Sequence, residues 1–409
     1  MTVFIVTPPD YEGINVSEDM PDDQSAAGRR ERIEALLAYR LSEKVGGDTA
    51  ERIETGKSIG FDVIADPIRR LPLTGATIIR ADDDALSPLR EQFPNHRVRR
   101  DSSFNITEAP TEVLAVEEGA QGAPWHLDMV GIALARDYGM KLEGRGVVVA
   151  VIDTGVTSVA GFGGRVKATS RFDPNSRTLY DSSDSQDSYN HGTRVADLIG
   201  GADNGVAPLC TMLDIHAAPN GIVYSSALTQ AFELVAGNAS VSIVNISLGR
   251  PSWREELLSS YNTMTASGVL SVAAIGNDGR GRYRSPGAFR SSLSVGAVNP
   301  RGESFKLSGG AEMIDADGPY RVPTLVAPGV EVPTTDDVGR ISLSTGTSMA
   351  TPIVAGMAAL VKEHLPGATA ATIRNALLSD CIDLNLPDTE QGAGLLAVPR
   401  AINPASVGV

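Results

Sequence analysis

The chain opens on an apolar run, Val3-Phe4-Ile5-Val6, which predicts a strand over 2–7. The period then changes: Ile33, Leu36, Leu37 and Leu41 fall on one helical face and predict an amphipathic helix near 25–45. Strand-like stretches near 61–66 and 75–81, a short helix at 83–93 and an extended segment from 96 to about 108 follow. This β-α-β-β-α-β order is the split βαβ arrangement and predicts a small α+β domain. Residues 108–123, rich in Ala, Glu, Gly and Pro with little apolar periodicity, read as an exposed linker.

A different pattern starts after the linker, with Trp125-His126-Leu127 and a helix-like stretch over 129–138. Residues 147–152 form a continuous, largely β-branched apolar run that reads as a strand buried on both faces, 269–275 is another buried-strand run, and 241–246 also reads as a strand. Helical spacing appears in Val195, Ala196 and Ile199, and again in Ile353, Val354, Met357, Leu360 and Val361. Such strands belong to an α/β sheet whose carboxyl ends face the functional crevice.

Composition narrows the function classes. The 409 residues leave room for two domains, and 42% hydrophobic with 21% charged residues describes a globular chain. A formal charge of -15 argues against a nucleic-acid partner. The arginine clusters at Arg29-Arg30-Glu31-Arg32 and Arg97-Val98-Arg99-Arg100 have acidic neighbours and read as solvated faces. Cys210 and Cys381 are too few for a disulfide framework, and Cys210 reads as a small core residue. No stretch is long enough for a transmembrane helix, so no membrane partner is expected. The first residues lack a basic region followed by a long apolar one, so the expected location is cytoplasmic, with secretion the alternative if a leader has been trimmed.

Candidate chemistry sits at the ends of the buried elements. Asp153 closes the strand 147–152, His191 precedes one helical pattern, and Ser348 opens another within Gly-Thr-Ser-Met-Ala-Thr-Pro. A carboxylate, an imidazole and a hydroxyl in this chain order match one order of the serine triad. A hydroxyl at a helix N-terminus lies beside free N–H groups and the positive end of the dipole, which suits a developing oxyanion. Asn277 follows the strand 269–275 and can donate its amide into the same crevice. Taken singly, Asp-Thr-Gly is also a turn signal, His191 an ordinary structural histidine and Ser348 a helix cap. Their agreement in order and position carries the reading.

With these motifs, Ser247-Leu248-Gly249 and Ala327-Pro328-Gly329, residues from about 120 to 400 resemble a subtilisin-family serine protease. The resemblance implies a three-layer α/β/α catalytic domain with a mainly parallel sheet, acting on peptide or protein substrates by an acyl-enzyme, with no cofactor required for the chemistry. It implies that Asp153 orients His191, that His191 takes the proton of the Ser348 nucleophile, and that Asn277 holds the oxyanion. The substrate would lie against Ser247, Leu248, Gly249, Ala274, Ile275, Gly276, Arg280, Arg282 and Arg284. The first domain resembles the family's inhibitory propeptide, which implies a self-inhibited, autoprocessed zymogen. The expected division is 1–118 and 119–409, with the boundary between 108 and 121 and processing near Glu117, Glu118 or Gly119. Transfer of the acyl group to an amine, as in peptide cyclases, is the alternative reaction; a non-catalytic binding module is a second.

Three departures from the family stand out. The stretch 198–205 is too short for the family's calcium loop, so that site is not carried over, and Asp203 and Asn204 read as turn residues. Asp181, Asp184 and Asp187 before His191 would hold calcium only with convergent oxygens that the sequence does not demonstrate. Arg194 and Asp197 occupy places after His191 where the family has other residues, without bearing on the chemistry. Finally, Arg280, Arg282 and Arg284 border the expected primary pocket and suggest a preference for an acidic side chain.

Overall fold

Val148–Asp153 lies near the middle of an eight-stranded sheet, and its successive side chains enter two separate cores. The computed structural model describes residues 2–8, 26–42, 69–106 and 124–402. Within the N-terminal part these include strands β1 (Thr2–Thr7), β2 (Arg69–Arg70), β3 (Thr77–Ala81), β4 (Arg97–Arg100) and β5 (Ser103–Asn105), with helices α1 (Ala26–Ser42) and α2 (Leu86–Gln92). The order β2-β3-β1-β4, antiparallel throughout, is that of the split βαβ unit. Phe4 and Val6 meet Ile79, Leu89, Phe93 and Val98 in its core. The strand expected at 61–66 and the linker 108–123 lie outside the described residues.

The second part carries β6 (Val148–Asp153), β7 (Val166–Asp173), β8 (Thr178–Asp181), β9 (Thr211–His216), β10 (Ile222–Tyr224) and β11 (Ile243–Ile246). After these come β12 (Arg250–Pro251), β13 (Leu270–Ala274), β14 (Arg284–Ser285), β15 (Leu293–Val298), β16 (Ala311–Asp315), β17 (Gly318–Val322) and β18 (Leu325–Pro328). The large sheet runs β18-β15-β13-β11-β6-β9-β7-β8 and is parallel except for the edge pair β7–β8. The stretch 129–138 breaks into α3 (Trp125–Met129) and α4 (Ile132–Asp137), because Gly131 takes a left-handed φ of 82° that ends one helix and starts the next.

Helices α5 (Gly192–Gly200), α6 (Ser225–Gly237), α7 (Glu255–Ala266), α8 (Thr347–His364) and α9 (Ala370–Ser379) complete the layers. Val149 and Val151 pack with Val195, Ile199, Ile353 and Met357 from α5 and α8. Ala150 and Ile152 point the other way, to Leu228, Phe232, Leu257 and Tyr261 from α6 and α7. This alternation across one strand produces the three-layer α/β/α architecture expected from the resemblance.

The small domain grips α6 and α7. Asp101 accepts from the Ser226 N–H (3.0 Å) and hydroxyl (2.6 Å) and so caps the N-terminus of α6 from outside the helix. Glu233 accepts from the N–H groups of Leu73 (2.7 Å) and Thr74 (2.8 Å). Arg29, expected on a solvated face, is instead buried where both helices end: its Nε donates to Ser267 O and its Nη1 to Ala239 O, each at 3.3 Å. Burial, reinforced by Arg32, pushes its pKa down to about 10. Arg97 and Arg99 both face Glu255.

Candidate functional site

Asp153 ends β6 with its side chain fully buried, and its Oδ1 lies 2.7 Å from Nδ1 of the equally buried His191. The Thr154 N–H donates to the same oxygen at 2.8 Å, fixing the carboxylate. His191 sits just before α5, and Gly192 explains the His-Gly pair: a Cβ there would collide with Gly155 O and lie 3.1 Å from Asp153 Cβ. Only glycine lets the helix start come this close to the end of β6.

Asp187 ties this corner together. It accepts from Thr154 Oγ1 (2.7 Å), from Thr193 N–H (2.7 Å) and hydroxyl (2.8 Å), and from the Tyr189 and Asn190 N–H groups. Thr154 Oγ1 in turn accepts from the Gly192 N–H at 2.9 Å. Burial pushes the Asp187 pKa up, against these hydrogen bonds. Among the described residues no group of three or more His, Cys, Asp or Glu side chains is placed to hold a metal ion.

Ser348 is the second residue of α8 and 6% exposed. Pro352 lacks the N–H that would bond back to Ser348 O, and this carbonyl instead accepts from Ser247 Oγ at 2.9 Å. The missing helical bond thereby joins the Ser348 turn to the segment after β11. Asn277, beyond β13, has its Oδ1 bonded to the Thr347 N–H and hydroxyl, both at 2.9 Å. Its Nδ2 therefore faces the other way: a Cβ built on Gly346 would lie 3.0 Å from Asn277 Nδ2 and 3.1 Å from Ser348 Oγ. The amide donor and the hydroxyl thus flank one point in the crevice.

Around them a pocket is lined by Ser247, Leu248, Gly249, Ala274, Gly276, Asn277, Arg284, Thr347 and Ser348, with Ile106 of the small domain seated on it. Ile275 is fully buried among Ala288, Met313 and Val322 and does not line it. Arg280 reaches away to Glu390 at 2.6 Å, and Arg282 is exposed. Of the three arginines, Arg284 alone lies among the lining residues. β5 extends this approach: it pairs antiparallel with β10, Asn105 opposite Ile222, and the Ile106 N–H donates to Gly221 O at 2.8 Å.

The roles of Thr347, Thr154 and Asp187 in orienting these groups escaped the sequence reading. Thr347 was in view as part of the serine motif, and Asp187 only as a calcium candidate. His126 is buried with Nε2 2.8 Å from Asn204 O.

Comparison with known proteins follows the same residues. The sequence profile of the subtilase family matches residues 144–394. Subtilisin Savinase from Lederbergia lenta is 34% identical over 290 residues, covering 69% of this chain and 99% of that protein. Alkaline elastase YaB from a Bacillus species is 32% identical over 391 residues, covering 90% of this chain and 98% of its own length. A crystal structure of a cold adapted subtilisin-like serine proteinase superimposes with a TM-score of 0.57 at 30% identity, covering 68% of this chain and 98% of that one. The relatives also correct the expected location: alkaline proteases and subtilisins point to an extracellular place of action, not the cytoplasm.

Proposed function

We propose, for a chain that belongs to the subtilase family and is a subtilisin-like serine endopeptidase, that it is made as a self-inhibited zymogen and cuts itself free of its first domain. In this reading Ser348 Oγ attacks the carbonyl carbon of the scissile peptide bond while its proton passes to His191 Nε2. The buried Asp153 carboxylate, 2.7 Å from His191 Nδ1, holds the ring in the tautomer that accepts this proton and stabilises the imidazolium that results. Negative charge developing on the carbonyl oxygen is met by Asn277 Nδ2 and by N–H groups at the start of α8. The imidazolium then protonates the leaving amine, and water activated by His191 releases the acyl group from Ser348. No step requires a cofactor.

One observation carries the zymogen reading. The tail of the small domain joins the catalytic part as an added strand, β5 on β10, and brings Ile106 to the pocket that holds Ser348. Asp101, Arg29 and Glu233 fix this docking at three places on α6 and α7. The match to alkaline elastase YaB, at 90% of the chain, also extends into this domain. Because Ile106 already lies at this pocket, we read the bond offered to Ser348 as one that follows it within a few residues. In this reading the cut falls in Thr107-Glu108-Ala109-Pro110, ahead of the residues 117–119 expected from the resemblance; both segments lie outside the described residues.

The test is labelling with a fluorophosphonate, which reacts only with an activated serine, alongside hydrolysis of an unstructured protein. Wild type should label at one site per chain and hydrolyse; Ser348→Ala should do neither. Hydrolysis by Ser348→Ala at the wild-type rate would move the nucleophile elsewhere.

A further inference from the structure

A charged side chain lines the space beside Ser348 that a substrate side chain would enter. Two segments wall this space, 247–249 after β11 and 274–276 at the end of β13, and the stem of Arg284 runs between them. A Cβ on Gly276 would lie 2.7 Å from Arg284 Cγ and 2.8 Å from its Cδ; one on Gly249 would lie 3.1 Å from Arg284 Cβ. The stem is therefore in contact with both walls. Its backbone is pinned as well, since β14 pairs with β12 and the Arg284 N–H donates to Ile275 O at 2.9 Å.

The guanidinium is already engaged. Arg284 Nε donates to Asp278 Oδ2 (2.5 Å) and Nη2 to Asp278 Oδ1 (2.9 Å), a two-pronged pair, while Nη1 donates to Gly249 O (3.1 Å). Arg284 is only 8% exposed. A large side chain would have to expel the stem and break the pair, leaving Asp278 without its partner. A carboxylate side chain would compete with Asp278 for the same donors and meet its charge. Of the three arginines behind the expected acidic preference, Arg280 is paired with Glu390, Arg284 with Asp278, and Arg282 is exposed.

We propose that Arg284 and Asp278 form a charge-neutral stopper in the primary pocket, limiting the residue before the scissile bond to side chains the size of Gly, Ala, Ser or Thr. The proposal rests on the reading of Ser348 as nucleophile. It fits the chain's own sequence, in which Thr107 follows Ile106. The stem sets the size limit and Asp278 sets the charge, so the two residues make separable predictions.

The experiment compares kcat/KM on peptides identical except for Ala, Phe or Glu before the cut, with active sites counted by fluorophosphonate. Wild type should favour Ala over both Phe and Glu by about tenfold or more. Arg284→Gly should raise the Phe/Ala ratio by about tenfold or more, because the slot between the walls is emptied. Asp278→Asn should raise the Glu/Ala ratio by a similar factor of about ten, because the guanidinium is then left to pair with the substrate. Should Arg284→Gly fail to fold, the wild-type profile and Asp278→Asn still decide. A wild type that labels but prefers Phe or Glu, or labelled variants that keep the wild-type ratios, would overturn the stopper alone. A wild type that does not label would overturn the nucleophile assignment, and the stopper with it.

Discussion

Asn277 and Thr347 are locked together: the Asn277 side-chain oxygen accepts both the N–H and the hydroxyl of Thr347 at 2.9 Å, while Thr347 Oγ1 accepts the Gly276 N–H at 3.2 Å. This arrangement aims the amide N–H₂ at the crevice before any substrate arrives, so no reorganisation is needed as charge develops. Asn277→Ala should lower kcat by roughly 10²–10³ with little change in KM. Thr347→Val removes the orienting hydroxyl but not the donor, and should lower kcat by about tenfold, again at near-constant KM. Steady-state kinetics on one peptide would check both. A KM effect at unchanged kcat would make Asn277 a ground-state binding group.

The buried histidines predict an acid-sensitive stability. Burial pushes His126 down to about 4 against its hydrogen bond to Asn204, and burial with Arg171 does the same to His216. Both are neutral in folded and unfolded chains well above pH 6.5. As pH falls from 6.5 to 4, the unfolded chain takes up protons that the folded one refuses, so stability is lost in that window, on the order of 3 kcal/mol per histidine. Asp197, raised to about 6 by burial, works in the opposite direction, because below pH 6 the folded state holds a proton that the unfolded state has released. Asp101, Asp187 and Asp214, also raised by burial, act in the same sense as Asp197, so the histidine contribution is read by difference. In a Ser348→Ala background, which removes self-digestion, His126→Gln should lose about 2–3 kcal/mol less than its parent between pH 7 and pH 4.5 in urea denaturation. Parallel profiles would contradict the assignment of this loss to His126.

The short turn after α5 is closed by its own hydrogen bonds. Gly201 N–H donates to Asp197 O (2.8 Å), Gly205 N–H to Gly201 O (3.0 Å), and the Asn204 amide to Asp197 Oδ2 (2.8 Å), which also accepts the Thr335 N–H (2.7 Å). The side-chain oxygen of Asp197 is thus committed to protein donors. Chelation with EDTA should lower Tm by less than about 10 °C, since losing an occupied tight metal site would cost several kcal/mol. A larger drop in differential scanning calorimetry would imply a bound ion elsewhere in the protein.

What the sequence made legible was whatever periodicity and motif position encode. The apolar run before Asp153 and the helical spacing after His191 and Ser348 reappear in the structure, because each is a local pattern with a single stable burial, while the strand expected at 61–66 lies outside the described residues. Partner choice was not legible. Arg280 meets Glu390 across 110 residues, Arg29 meets Ser267 across 238, and Arg284 turns to Asp278 although a substrate carboxylate was the reading. Charge in a sequence says that a cation is present, not which anion the fold brings to it. Asp187 shows the same limit, since a loop carboxylate that reads as a calcium candidate is used to hold the start of α5. Gly131, inside a helical pattern, was the visible signal that 129–138 would break.

Self-cleavage by Ser348 would join the triad, the docked first domain and the zymogen in one reaction. N-terminal sequencing of purified wild type beside Ser348→Ala and His191→Ala, all produced full length, tests it most directly. The wild type should yield a species that begins within a few residues after Ile106, and both variants should remain uncut at residue 1, because the triad acts as a unit. Processing of Ser348→Ala at the wild-type position and rate, in the absence of any other protease, would contradict it.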